Sequence, residues 1–112
     1  MIGDSQPLSY EVESDASGAT ILRLHGELDM GSSPELTEVV HELQHGAAKR
    51  IVIDLRGLSF LDSMGLSALL EAHSAGQDGH REVSFIRGER PVQRVFAVTK
   101  MDKRVEWVDP DD

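Results

Sequence analysis

The chain contains no cysteine, so neither a disulfide framework nor a thiol switch is available to it. No apolar run approaches the length of a bilayer span and no charged-then-apolar signal segment opens the sequence, which makes cytoplasmic residence the expectation. Basic residues are few: 11 Lys and Arg stand against 20 Asp and Glu, a formal net charge of -9. Nucleic acid and anionic membrane surfaces repel such a chain as a whole, so neither is expected as a direct partner, and a protein with a basic docking surface is. A Gly-x-Ser-x-Gly elbow and a phosphate-cradling glycine-rich motif are both missing, which argues against hydrolase and nucleotide-binding readings. His41 and His45 are spaced i, i+4, but no further ligand or general base accompanies them. No metal site, no cofactor and no enzymatic activity are therefore expected.

What is present reads as one small α/β domain. A length of 112 residues suits a single domain over 1–112 with a core from about 8 to 108, and residues 1–7 and 109–112 are expected to be flexible flanks. Leu8 to Ser14 alternates as a half-exposed edge strand, Ser14 to Gly18 reads as a turn, and Ala19 to His25 as the second arm of a hairpin. Ser32-Ser-Pro-Glu35 offers a capping box between Ser32 and Glu35 with Pro34 in the first turn. The stripe Leu36, Val39, Val40 and Leu43 then predicts a helix ending near Gly46. Glu82 to Ile86, after a loop from Gly76 to Gly79, reads as a strand. Pro91 opens a helix whose apolar face is Val92, Val95 and Phe96, and Val105 to Val108 is a last short strand. Alternating strands and helices imply a mostly parallel sheet with right-handed crossovers.

The centre of the chain is the most informative stretch. Ile51, Val52, Ile53 and Leu55 form a short, mostly β-branched run suited to a strand covered on both faces, and a turn follows. The period then changes to Leu66, Leu69, Leu70 and His73, one stripe of an amphipathic helix opening at Ser63. That position makes Ser63 the expected N-cap, with Asp62 before it and Gly65 allowing a close backbone approach. A helix N-terminus also favours an anion. On this local pattern capping is the plainer reading of Ser63. In parallel sheets binding residues gather at the carboxyl ends of the strands, where Asp29 and Asp62 should approach one another.

Phe60-Leu-Asp-Ser-Met-Gly-Leu66, preceded by Gly26-Glu-Leu-Asp29 and Ile51-Val-Ile-Asp-Leu55, resembles the anti-sigma factor antagonists, bacterial members of the STAS domain family. The resemblance runs from about Leu8 to Val108. It implies a compact, mostly parallel sheet with an antiparallel first strand at one edge. It also implies that Ser63, directly after the aspartate, is phosphorylated by a partner kinase. The unphosphorylated form would bind an anti-sigma factor with serine kinase activity and free its sigma factor, and a PP2C-type phosphatase would remove the phosphate and restore that form. The implied partner-binding surface takes in Asp29, Asp62, Ser63, Met64, Gly65 and Ser67. Met64 stands where many relatives carry a second hydroxyl. Thr99-Lys-Met101 replaces the usual threonine-glycine-leucine helix terminator, so the helix before it is expected to end differently. The main alternative is a STAS adaptor subunit of a membrane lipid-transport complex.

Overall fold

The computed structural model describes residues 6–110. In chain order the elements are β1 (Ser9–Ser14), β2 (Thr20–Leu28), α1 (Ser33–Gln44), β3 (Arg50–Leu61), α2 (Ser63–Asp78), β4 (Glu82–Ile86), α3 (Arg90–Val98), a 3-10 turn (Met101–Lys103) and β5 (Glu106–Trp107). They build one five-stranded sheet in the order β1-β2-β3-β4-β5. β1 is antiparallel to β2 and every other pairing is parallel. The hairpin is closed by Asp15, whose Oδ1 accepts from the backbone N–H groups of Ser17 at 2.9 Å and Ala19 at 3.0 Å. Gly18 takes φ +88°, a conformation glycine adopts without strain.

Strand alternation divides the apolar residues between two faces. Leu22 and Leu24, Ile51, Ile53 and Leu55, and Val83 and Phe85 meet the helices in one core. α1 contributes Leu36, Val39 and Val40, α2 contributes Leu66, Ala68, Leu69 and Ala72, and α3 contributes Val92 and Phe96. Ile21, Val52 and Ile86 form a smaller cluster with Ala19 on the other face, which accounts for a β3 run with no polar alternation. Asp54 shares that second face and is 3% exposed. Arg56 Nη2 reaches its Oδ2 at 2.8 Å, and Arg23 Nε lies 3.6 Å away.

Burial alone would raise the Asp54 carboxyl. The side-chain and backbone hydrogen bonds of Arg56, with the charges of Arg56 and Arg23, outweigh it and hold the group below its ordinary value. A carboxyl depressed on folding contributes stability that is present above its unfolded pKa and is lost as pH falls through the folded one. Asp54→Asn should therefore be less stable than the parent by about 2 kcal/mol at neutral pH, and the gap should close as pH falls below about 4. Urea denaturation of both proteins at the two pH values checks this, and a gap of constant size would refute it.

Several boundaries differ from the sequence reading. The segment after Leu55, expected as a turn, continues as strand to Leu61, with register shifts between Arg23 and His25 and between Gly26 and Glu27 in the facing strand. Gly57 permits this, because a Cβ there would meet the backbone oxygen of Leu24 at 2.5 Å. The loop expected over Gly76 to Gly79 is mostly helix: α2 runs to Asp78, with Gly76 buried against the Val83 side chain and Gly79 as C-cap. The Ser32–Glu35 capping box does not form. Ser32 Oγ instead turns back to accept from the Asp29 N–H at 3.0 Å. α3 ends at Val98 with Thr99 as C-cap, and Lys100 takes the left-handed conformation (φ 61°) that a glycine would hold. The terminator therefore keeps its geometry with lysine in place, at a strain of roughly 1 kcal/mol. Gln6 lies against β2, its carbonyl accepting from the Glu27 N–H at 3.0 Å. The remaining expected flanks at 1–5 and 111–112 lie outside the described residues.

Candidate partner-binding site

β3 delivers the chain to Asp62, which leaves the sheet in an extended conformation (φ -107°, ψ -176°) and caps α2. Its Oδ1 accepts from the Gly65 N–H at 2.8 Å. The expected cap was Ser63, so this is a correction, and carboxylate chemistry explains it. Asp62 has a second oxygen, and Oδ2 accepts from the Met30 N–H at 3.0 Å. One side chain thus satisfies an orphan donor of the helix and a donor of the loop between β2 and α1, which a single hydroxyl would do less well. The backbone repeats the link, since the Asp62 N–H donates to the Leu28 carbonyl at 3.3 Å.

Relieved of capping, Ser63 is the first residue of α2 and is exposed. Among the described residues its hydroxyl has no hydrogen-bond partner. Beside it Met64 is 48% exposed. Gly65 is buried, and a Cβ there would lie 2.5 Å from the Leu28 carbonyl oxygen, which is the close approach expected of it. Ser67 is exposed one turn further along the helix.

Asp29 comes to the same end of the sheet as Asp62. Its Oδ1 is committed to its own loop, accepting from the backbone N–H groups of Gly31 at 3.0 Å and Ser32 at 3.1 Å. It shapes the loop that carries Met30. Met30 was not singled out from the sequence, yet it is 70% exposed, and its backbone lies against Asp62. A large apolar residue directly after the strand-ending aspartate was the available signal. The two histidines set aside earlier, His41 in the last turn of α1 and His45 at its C-cap, lie with tilted rings 4.3 Å apart at the other end of that helix.

This end of a small mixed-sheet α/β module carries an exposed serine at a helix N-terminus, with exposed Met64 next to it and exposed Met30 on the loop bonded to Asp62. The STAS domain family model matches residues 10–111, and the chain belongs to that family. It is 30% identical over 87 residues to the anti-sigma F factor antagonist of Paenibacillus polymyxa, covering 77% of this chain and 74% of that one. With the anti-sigma-B factor antagonist of Staphylococcus aureus strain NCTC 8325 it shares 27% over 78 residues, or 70% of this chain and 72% of the relative. Among solved structures, an anti-sigma factor antagonist from Mycobacterium paratuberculosis superposes with a TM-score of 0.80 at 24% identity, covering 96% of this chain and 91% of that one. The unphosphorylated form of the antagonist SpoIIAA gives 0.74 at 20% identity, covering 93% and 90%. At these identities the superpositions establish the fold.

Proposed function

We propose that the chain is an anti-sigma factor antagonist whose binding is switched off by phosphorylation of Ser63. The observation that carries this reading is the division of labour between Asp62 and Ser63. The carboxylate caps the helix, which leaves an exposed hydroxyl that no structural contact needs. A phosphate on it would stand at the positive end of a 16-residue helix, where an anion is tolerated. The names of the relatives point to the same activity. In this reading the unmodified form binds an anti-sigma factor with serine kinase activity through Asp62, Ser63, Met64, Gly65 and Ser67, with Asp29 supporting the loop alongside. The kinase brings its own ATP, and a PP2C-type phosphatase resets Ser63. The chain itself acts by binding in the cytoplasm and needs no catalytic group.

The test begins with capture of partners from the native host on the Ser63→Ala form. Incubation of wild type with the captured kinase and ATP should then add a single phosphate, located by mass spectrometry at Ser63. Phosphate on Ser67 or Ser59 would overturn the site. Capture of a transporter ATPase in place of an anti-sigma factor would overturn the function.

A further inference from the structure

The overall acidity hides a strong local asymmetry. Residues 87–104 carry six of the 11 basic residues and only Glu89 and Asp102 as acids, whereas the rest of the chain has five basic and 18 acidic residues. Arg87, Arg90, Arg94, Lys100, Lys103 and Arg104 are all exposed. Among the described residues none of the six forms an ion pair, and the ion pairs of the chain's other arginines lie on β2, β3 and the start of β3. Trp107 contacts three parts of the segment. Arg87 Cζ lies 5.0 Å over its ring, Phe96 of α3 packs edge-on at 5.0 Å, and its indole N–H donates to the Asp102 carbonyl of the 3-10 turn at 2.9 Å.

Two of these cations sit where folding alone favours another residue. Arg90 occupies the first turn of α3, a turn with no acidic residue, where a positive charge works against the helix dipole. Lys100 occupies a left-handed position better suited to glycine. On the outer side of the same helix, Arg90, Arg94 and Val98 follow one another at i, i+4 and i+8, a single stripe, and Val98 is 71% exposed.

We propose that this stripe of α3, with the turn that follows it, is a second docking surface, one that takes an acidic segment of a partner protein. It is independent of the Ser63 reading. Charge complementarity selects the sign of the occupant, and the bare Val98 selects its class. An apolar contact amid cations suits a peptide carrying both carboxylates and aliphatic side chains, and offers nothing to a phosphate backbone. A short segment also meets the patch alone, whereas DNA or a vesicle surface extends far enough to meet the acidic remainder of the chain.

The test uses the full chain and a fluorescein-labelled synthetic peptide of Asp, Glu and Leu, followed by anisotropy. Wild type should bind the peptide, more weakly as salt rises, with amide NMR shifts concentrated in residues 87–104. Arg90→Glu with Arg94→Glu should weaken binding about tenfold or more while the melting temperature stays within a few degrees. Arg94→Gln gives a milder loss if the double variant folds poorly, and Lys49→Glu, a reversal outside the patch, should change nothing. Binding insensitive to Arg90 and Arg94, or shifts confined to the Ser63 turn, would overturn the proposal. So would equal affinity for duplex DNA or for phosphatidylserine vesicles, or sedimentation showing that the patch binds a second copy of the chain.

Discussion

Ser63→Glu should bind the anti-sigma factor markedly more weakly than wild type, phosphorylated Ser63 more weakly still, and Ser63→Ala at close to wild-type strength. Electrostatics rather than bulk sets this order. A phosphoserine carries about 1.5 to 2 negative charges, and a unit pair about 6 Å apart at an effective dielectric near 20 interacts by roughly 3 kcal/mol. An acidic group on the facing partner would then be repelled strongly enough to weaken the phosphorylated complex on the order of 100-fold. The carboxylate of glutamate carries less charge, so the mimic should fall between the two. Ser63→Ala should be innocuous because the hydroxyl makes no hydrogen bond among the described residues and Asp62 holds the cap. Calorimetric titration of all forms against the captured partner decides the matter. If Ser63→Ala binds as poorly as Ser63→Glu, the hydroxyl is itself a contact and the repulsion account fails.

Gly65→Ala should lower the melting temperature by about 10 °C or more, corresponding to a loss of about 2 to 3 kcal/mol. Two effects compete. Replacing glycine inside a helix normally gains up to about 1 kcal/mol, because alanine loses less backbone freedom. At Gly65, however, the new methyl would lie 2.5 Å from the Leu28 carbonyl oxygen and 2.9 Å from Leu28 Cγ and Leu61 Cδ1. A strand backbone cannot yield as a side-chain tip can, so the clash outweighs the propensity gain. Gly79→Ala makes the contrast: the nearest atoms lie 3.5 Å or more away and φ is -90°. That variant should be neutral or mildly stabilised, and a Gly65→Ala protein that melts with wild type would refute the argument.

Elements with a clear period were readable before any coordinates. Glu82–Ile86 has the bounds its composition suggests, and α3 begins around Pro91 with Val92 and Phe96 inward and Val95 half-buried. Where backbone geometry decided, the sequence misled. The stretch after Leu55, which holds Gly57, read as a turn and proved to be strand lying close against Leu24; Gly76 looked like a loop and proved to be a contact with Val83. A glycine signals that something is close without saying what. The site was legible as a neighbourhood, with Asp29, Asp62 and Ser63 at one end of the sheet, but not in its roles. Asp and Ser are comparable caps on propensity, and only the distant Met30 N–H, 32 residues away in sequence, distinguishes the residue with two acceptors. The cationic face of α3 was obscured by averaging, because a net charge of -9 says nothing about where 11 basic residues lie.

The fork made by Asp62 bears on the tempo of regulation. One carboxylate clamps both the Met30 loop and the first turn of α2, so the backbone on either side of Ser63 is tied to the same side chain. A mark written there should be legible to a partner as soon as the covalent step is over, and erasing it should leave nothing to re-anneal. Under the function proposed for Ser63, the dwell time of each state would be set by the enzymes that add and remove the mark, and the chain itself would contribute no memory.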